Sequence, residues 1–535
     1  MKQNKFILIM MAAVIGTSSC KKDLDQQPTD TFSENNAFIT LNDVQLGANE
    51  TYVRYGAYAN DMYVSALVSD EGKLGADNSG QGALTYRYQY ASDNTSGGDV
   101  ISGWGDYYTV IDQVNRLLPK IPTVTASADE EPRRNVLKGQ MLAMRAIAHF
   151  GLLQSYCKNY DAADSRGVPI MLTSNPLTKP SRNSMGDVMA QIESDLTEAK
   201  NLLPAVTPGD FTDTVMNRVN VAAYQARIAL YKKDYDQAIT YSTEVITSGI
   251  RPLVAGNQYA AIWTDDTQDE VLFRIRFATS TGIGGMFTTT GGNVYVAPSD
   301  KLFGSYLDAT FTGKISNDTL FVTTVNSGTL QVGQSIIGGT ILPSISNPTL
   351  IARIDTVPGR YILNNRQTLP VTSLSAFRDN RLPAFIGING AGNPYINKFF
   401  TSSRGGRVVD MKACRTAEMY LIRAEANARK ASPNLAAGAA DLNALRSNRI
   451  TGYTDQTFSS ATILIDAVME ERFKELAFEG FRFFDLKRNN MPVSRLSTDA
   501  SAAWQTLPTG DHRFVLPIPN SELLANPNMV QNDNY

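Results

Sequence analysis

The chain has 535 residues, of which 43% are hydrophobic and 19% are charged, and its formal net charge is -3. This length allows two or three ordinary domains, or one large helical body with additions, and the composition is normal for a globular protein with a sizeable core. No block of like charge occurs along the chain. Because a nucleic-acid-binding face needs concentrated Lys and Arg, nucleic acid is not an expected partner.

The beginning of the chain has the organisation of a secretory signal. Two lysines are followed by an apolar run at residues 6–15, and small residues then lead to Cys20. The run is too short to cross a bilayer stably. A cysteine at this place resembles the lipobox of bacterial lipoproteins, although Thr17 stands where that motif usually has Leu. We therefore predict a signal peptide at residues 1–19 and lipidation of Cys20, with ordinary secretion as the alternative, and no other membrane attachment.

Helical periodicity dominates the sequence outside residues 309–374. Apolar residues recur at the i, i+4, i+7 spacing of one helix face in residues 99–119 and again in residues 131–156. A third such pattern begins at Ser184, a good N-cap residue, and is stopped by Pro204. These patterns predict three long helices.

Two later segments predict pairs of helices. In residues 217–249, Ala222 and Ala226 lie on the first helix and Ala238 lies on the second, and small residues at such positions let two helices approach closely. This segment resembles a tetratricopeptide unit, and residues 414–449 have a pattern of the same kind. Because the repeats are degenerate and interrupted, we predict a helical body that presents binding surfaces, and not a regular solenoid.

Residues 309–374 have a different composition. Lys and Glu almost vanish, while Thr, Ser, Ile, Val and Gly alternate in short runs separated by Gly- and Pro-containing turns. Such runs predict several strands with tight turns. We interpret the segment as a small β-rich module inserted between the two parts of the body, residues 20–308 and 375–535. The sequence does not indicate what this module does.

The sequence offers little for catalysis or metal binding. Glu471, Glu475 and Glu479 repeat at one-turn spacing, and paired carboxylates are what a glycosidase needs. Carboxylates on a helix beside Arg and Lys normally form salt bridges, and the surrounding Phe and Leu residues predict partly buried, structural ion pairs. The two histidines of the chain, His149 and His512, do not suggest a metal site or a His-based triad. We expect no cofactor.

The cysteines and tryptophans are expected to have mostly structural roles. Cys157 and Cys414 lie in helical patterns far apart in sequence, so buried free thiols are expected, with a disulfide as the less favoured alternative. Trp104 and Trp263, two of the three tryptophans, are expected in the core. Since Trp is the best stacking platform for a sugar ring, this weakens a glycan-binding interpretation slightly.

Candidate ligand-binding residues lie in residues 70–94, where helical periodicity is lost. Tyrosine rings can stack on the apolar face of a sugar, while Asp, Asn and Arg form hydrogen bonds with its hydroxyl groups. The Gly-rich loop at residues 280–298 is the second candidate wall. The predicted ligand-binding residues are Asp77, Arg87, Tyr88, Tyr90, Asn94 and Tyr295.

Four stretches of the sequence together form a family signature. Each one alone is a weak signal, but their order and spacing are specific. They are the W-x3-Y-x2-I-x3-N pattern of residues 104–115, GQMLAMRAIAHF at 139–150, RTAEMYLIRAEANA at 415–428 and ERFKELAFEG at 471–480. Together they resemble the SusD/RagB family of outer-membrane nutrient-binding lipoproteins. The resemblance implies a mainly α fold, in which tetratricopeptide-like helix hairpins pack against irregular binding loops.

The same resemblance implies a function. We expect a non-enzymatic lipoprotein, anchored in the outer membrane and facing the exterior, that binds oligosaccharides and delivers them to a SusC-like TonB-dependent transporter. The first alternative keeps the architecture and takes oligopeptides as ligands. The second alternative, from another class, is a hydrolase.

Overall fold

The structure is a computed structural model that describes residues 37–280, 282–289 and 291–535. The predicted signal peptide at residues 1–19 and the predicted lipidation site Cys20 lie outside these residues, so both stay predictions. Within the described ranges, no helix has both the length and the hydrophobicity that a membrane crossing requires.

The protein is mainly α-helical with small antiparallel sheets, as predicted. In chain order the helices are α1 (Leu41–Tyr55), α2 (Tyr58–Val68), α3 (Ala83–Tyr86), α4 (Asn94–Leu117), α5 (Glu131–Tyr156), α6 (Met185–Leu202), α7 (Arg218–Tyr231), α8 (Tyr235–Thr247), α9 (Gly256–Trp263), α10 (Ile283–Phe287), α11 (Asp300–Ser305), α12 (Arg381–Phe385), α13 (Thr416–Arg429), α14 (Leu435–Ser447), α15 (Ala461–Glu475), α16 (Arg482–Arg488) and α17 (Asn520–Ala525). The strands are β1 (Gly72–Leu74), β2 (Val271–Ile275), β3 (Val296–Pro298), β4 (Ala309–Gly328), β5 (Ser335–Ile337), β6 (Ile351–Ile354), β7 (Arg360–Phe377), β8 (Ile386–Ile388), β9 (Pro394–Ile396), β10 (Met411–Arg415), β11 (Val493–Ser494) and β12 (Thr506–Leu507).

The three predicted long helices are α4, α5 and α6, and N-cap side chains explain where α4 and α6 begin. The side chain of Ser184 accepts a hydrogen bond from the N–H of Asp187, which is the N-cap interaction expected at this position. Helix α4 begins at Asn94, five residues before its predicted start. The reason is Asp93, whose Oδ1 accepts from the N–H groups of Thr95 at 2.8 Å and Ser96 at 3.0 Å.

The predicted helix pairs are α7 with α8 and α13 with α14, and α8 also packs against α13. A buried ion pair joins the two units, because Arg227 on α7 donates to both carboxylate oxygens of Glu418 on α13, at 2.7 and 2.6 Å. The two hairpins therefore pack together: α7, α8 and one side of α13 belong to the main hydrophobic core, whereas the other side of α13 packs with α14 and α15 in a second cluster.

Residues 309–377 form a four-stranded antiparallel sheet. Strand β7 pairs with β4, β5 and β6, and the register between β4 and β7 runs from Ala309 opposite Ala376 to Phe321 opposite Arg360. The sheet has a hydrophobic core of its own, separate from the core of the helical body, and centred on residues such as Phe311. The domain boundaries at residues 308/309 and 374/375 stay a prediction.

A short two-stranded sheet brings the two predicted binding segments together. Strand β1 pairs with β3 in antiparallel fashion, with Leu74 opposite Val296, and β9 also contacts β3. The loop that follows β1 and the loop that precedes β3 therefore lie next to each other.

Candidate functional site

Tyr88 and Tyr90, predicted as stacking platforms, lie in the protein interior. Each is only 5% exposed. The Tyr88 hydroxyl donates to the carbonyl of Val68 at 3.1 Å, and the Tyr90 hydroxyl donates to the carbonyl of Arg513 at 2.5 Å. Because neither ring offers an open face, the structure corrects the prediction for these two residues.

The physical reason is an alternation between residues 86 and 90. Tyr86, Tyr88 and Tyr90 are buried, whereas Arg87 and Gln89 between them are exposed. The segment is the end of α3 and the turn after it, in which Tyr88 has a positive φ of 56°, and this turn directs the three tyrosine rings to the core and the two polar side chains outward. The polar side is therefore the one that can meet a ligand.

Arg87 and Gln89 line an open depression of about 370 Å³. The third tryptophan, half-buried Trp504, also lines it, together with its chain neighbours between β11 and β12. The depression is lined by Leu74, Tyr86, Arg87, Gln89, Asp499, Ala500, Ser501 and Trp504.

Arg495 holds the two sides of this depression in place. This buried side chain donates to four carbonyl oxygens: those of Ser69 at 2.9 Å, Leu67 at 2.6 Å, Tyr86 at 2.8 Å and Trp504 at 3.1 Å. Its guanidinium also lies 3.9 Å from the ring centroid of Tyr86, a cation–π contact. One charged group therefore fixes both the tyrosine segment and the tryptophan turn.

Asp77 and Tyr295 are brought close together beside this depression. The Oδ2 of Asp77 accepts from the N–H of Val294 at 2.9 Å, and the side-chain amide of Asn78 donates to the carbonyl of Tyr295 at 2.9 Å. Asp77 is exposed and Tyr295 is half-buried. The two predicted walls thus form one surface that continues from Leu74, and direct ligand contact by Asp77 and Tyr295 stays a prediction.

Asn94 is placed differently from the other candidates. It is exposed in the first turn of α4 and is not among the residues that line the depression. Its predicted role as a ligand-binding residue is untested by the geometry.

Sequence reasoning missed Trp504, Gln89 and Ser501. A tryptophan in residues 496–505, a stretch without apolar periodicity, was an available signal, because such a large ring outside a helix or long strand is often presented at a binding surface. Nothing in the sequence shows that this tryptophan lines the same depression as Arg87.

Glu471, Glu475 and Glu479 are buried in an ion-pair cluster centred on Glu475. Glu471 and Glu475 lie at the end of α15, whereas Glu479 lies in the turns that follow, so the predicted helix ends one turn earlier than expected. The Glu475 carboxylate contacts Arg381 at 3.2 Å, Arg415 at 3.0 Å and Arg449 at 3.0 Å, and all four side chains are 0% exposed. Burial by itself raises the pKa of Glu475, but these three guanidinium groups outweigh it and hold the pKa well below its usual value. The predicted structural ion pairs are confirmed, and the prediction of partial burial is wrong because the burial is complete.

The remaining candidates for chemistry are also structural. His149 is buried, its Nε2 accepts from the N–H of Met171 at 3.3 Å, and burial lowers its pKa to about 4, so the ring is neutral. Both Cys157 and Cys414 are free and buried, as expected. In the part of the chain that the structure describes, no group of His, Cys, Asp and Glu side chains could hold a metal ion.

Comparisons with known proteins match almost the entire chain. The model of the SusD family matches residues 364–535, and a second model, described as starch-binding associating with outer membrane, matches residues 21–230. SusD-like protein P38 of Formosa agariphila is 21% identical, and the alignment covers 99% of this chain and 98% of that protein.

Solved structures have the same fold. A putative sugar binding protein from Bacteroides vulgatus has a TM-score of 0.69 at 23% identity, covering 93% of this chain and 99% of that one. A laminarin binding SusD-like protein has a TM-score of 0.60 at 20% identity, covering 93% of this chain and 100% of that one.

Proposed function

Because the chain belongs to the SusD/RagB family, we propose that it is a cell-surface lipoprotein that binds oligosaccharides and delivers them to a TonB-dependent transporter of the outer membrane. The SusD family consists of non-catalytic binding proteins. The description of the second family model and the laminarin-binding relative support a glycan as the ligand and the outer membrane as the location.

The observation that carries this proposal is the depression between Arg87 and Trp504. An indole ring is the strongest aromatic platform for the apolar face of a sugar, and Arg87 and Gln89 supply exposed hydrogen-bond donors beside it. Its volume of about 370 Å³ lies in the range of small-ligand sites, which suits a short stretch of a longer chain.

The same depression is poorly suited to hydrolysis. Asp499 is the only acid among the described residues that line it. The carboxylate of Asp499 accepts from the N–H groups of Asp300 at 2.6 Å and Lys301 at 3.3 Å, and its side chain is 0% exposed. A glycosidase needs two available carboxylates across the scissile bond, so the site is suited to hold a sugar and not to cleave it.

Two parts of the proposal concern more than the helical body. The lipid anchor depends on the N-terminal residues, and delivery depends on a partner transporter. A lipid on Cys20 would attach the helical body to the membrane, since each buried CH₂ adds about 0.8 kcal/mol to membrane binding. Replacing Cys20 by Ser should release the protein from the outer-membrane fraction. A variant that stays in that fraction without lipid would remove the anchor from the proposal.

Calorimetric titration with panels of neutral oligosaccharides and of peptides tests the ligand. We expect oligosaccharide binding without product, and a loss of about tenfold or more in affinity, or about 1.4 kcal/mol, for Trp504→Ala and Arg87→Ala together. Leu177→Ala, a change at a side chain that is 85% exposed and lies outside the depression, is the matched control. Binding of peptides alone would favour the oligopeptide alternative, and product formation would favour a hydrolase.

A further inference from the structure

A second cavity, larger than the depression, lies on another side of the helical body. Its volume is about 860 Å³. It is enclosed by the chain after α5, the first half of α6, the corner between α7 and α8, the end of α16, residues 510–515 and residues 532–534.

This cavity and the depression share no lining residue. The chain between them is the 86–90 segment, whose Tyr90 ring stacks on Tyr535 with the centroids 6.4 Å apart. The tail that carries Tyr535 lines the cavity with residues 532–534, while Arg87 and Gln89 line the depression. The two sites are therefore distinct but joined through one packed segment.

Most of the acidic side chains at the cavity are already neutralised. Four carboxylates line it, and Asp161 is the one without an ion pair among the described residues. The other three are held by the pairs Glu193–Lys232, Asp533–Arg166 and Asp511–Arg513. Arg488, which also lines the cavity, is neutralised by Glu425 and Asp485.

Three lysines at the cavity, by contrast, form no ion pair within the described ranges. Lys158 and Lys233 are exposed. The ammonium group of Lys487 donates to the carbonyls of Gln154 at 2.7 Å and Cys157 at 2.5 Å, which leaves one of its three N–H donors without an acceptor in the described structure. Burial lowers the pKa of Lys487 to about 7, because no carboxylate compensates its charge.

Two tyrosine hydroxyl groups add unsatisfied donors at the same place. Tyr160 and Tyr231 both line the cavity, and their rings pack edge to face with the centroids 5.1 Å apart. Neither hydroxyl has a hydrogen-bond partner among the described residues, although both oxygens are buried. Buried polar groups are normally paired, so these two hydroxyls are exceptions, but because both oxygens are buried a ligand in the cavity would not reach them in this structure.

We propose that this cavity binds the sulfate or carboxylate group of an anionic oligosaccharide. Such a group offers several acceptor oxygens and a negative charge, which matches the excess of unpaired lysines that line the cavity. That the ligand is an oligosaccharide depends on the proposed function, whereas the preference for an anion depends on the cavity alone.

The test compares a sulfated oligosaccharide with its desulfated counterpart by calorimetric titration at constant ionic strength. The variant is Lys158→Gln with Lys233→Asn, in which Asn suits the left-handed backbone of residue 233, at φ 64°. We expect affinity for the sulfated ligand to fall about tenfold or more, with affinity for the neutral ligand unchanged. The control is Lys179→Gln with Lys314→Gln, which removes the same charge at two exposed positions away from the cavity.

Equal losses in the variant and the control would overturn the proposal, because they would show unspecific attraction of the ligand to positive charge. A second result would also overturn it: the preference for the sulfated ligand is lost in Trp504→Ala with Arg87→Ala but is kept in the lysine variant. The anion would then bind in the depression and not in the cavity. Lysine-dependent binding of an acidic peptide, with no binding of the sulfated sugar, would make this a peptide site. Lysine-dependent binding of inorganic sulfate, with no binding of any oligosaccharide, would refute the proposed function while leaving the anion preference of the cavity in place.

Discussion

The ion-pair cluster around Glu475 and the depression beside Trp504 both contain polar side chains. They differ in whether those side chains are exposed and free to bind a ligand. In the cluster, each carboxylate oxygen of Glu475 is paired and the side chain is 0% exposed. In the depression, Arg87 and Gln89 are exposed and Trp504 is half-buried. A ligand needs groups that are both reachable and unpaired, so the density of charged residues in the sequence is a poor guide to a binding site.

Neutralising the centre of the cluster should have the largest effect on stability. Glu475→Gln leaves three buried guanidinium groups short of one negative charge, and we expect a loss of roughly 3–5 kcal/mol in the free energy of unfolding, measured with denaturant. Glu50→Gln, which weakens an exposed pair with Arg54, should cost about 1 kcal/mol or less. Similar values for the two variants would show that the cluster does not carry stability.

Removing the group that organises the depression should come next. Arg495→Met leaves four carbonyl oxygens without their charged donor, so we expect a loss of roughly 2–4 kcal/mol in the free energy of unfolding together with weaker glycan binding. Thermal unfolding and calorimetric titration measure the two effects. Weaker binding with unchanged stability would instead indicate that Arg495 contacts the ligand itself.

Acid should weaken the cluster over a defined pH range. Burial raises the pKa of Glu471, but Arg381 and Arg446 outweigh it and hold the pKa at about 2, below the ordinary value of 4.5. A depressed pKa means that this carboxylate stabilises the fold above about pH 4.5, and that the contribution is lost as pH falls towards 2. We expect roughly 2 kcal/mol of this loss between pH 5 and pH 3, and less in Glu471→Gln, which has no carboxylate to protonate.

The smallest effect is expected for the tyrosines that the structure places inside. Tyr90→Phe removes one hydrogen bond to the carbonyl of Arg513, so we expect a loss of about 1 kcal/mol in stability and unchanged affinity for oligosaccharide. Tyr88→Phe should behave in the same way. If either variant bound glycan about tenfold more weakly at unchanged stability, that hydroxyl would contact the ligand and the sequence prediction would be restored.

Much of the fold was predictable from the sequence. Helix α5 spans the predicted residues 131–156, and α6 follows its predicted N-cap Ser184, because apolar periodicity and capping are properties of neighbouring residues. The start of α4 was predicted five residues too late, since Asp93 caps it before the apolar stripe begins. The ion pairs of Glu471, Glu475 and Glu479 were predicted to be structural, but their complete burial was not predicted.

The site was predictable only in part. The sequence pointed to residues 70–94 and to Arg87, which lines the depression, whereas Tyr88 and Tyr90 are buried and Trp504 was not identified. Between residues 86 and 90, aromatic and polar residues alternate, and alternation alone does not say which set faces the core.

By itself, the sequence determined the helical segments, the change to strands near residue 309, and a set of motifs whose order identifies the family. Tertiary structure alone decided which polar groups are left unpaired. Tyr86 and Asp499, whose contact helps to form the depression, are 413 residues apart in sequence, and the three arginines of the Glu475 cluster come from separate segments of the chain. Pairing over such distances depends on how complete elements pack together, which no local pattern of residues encodes.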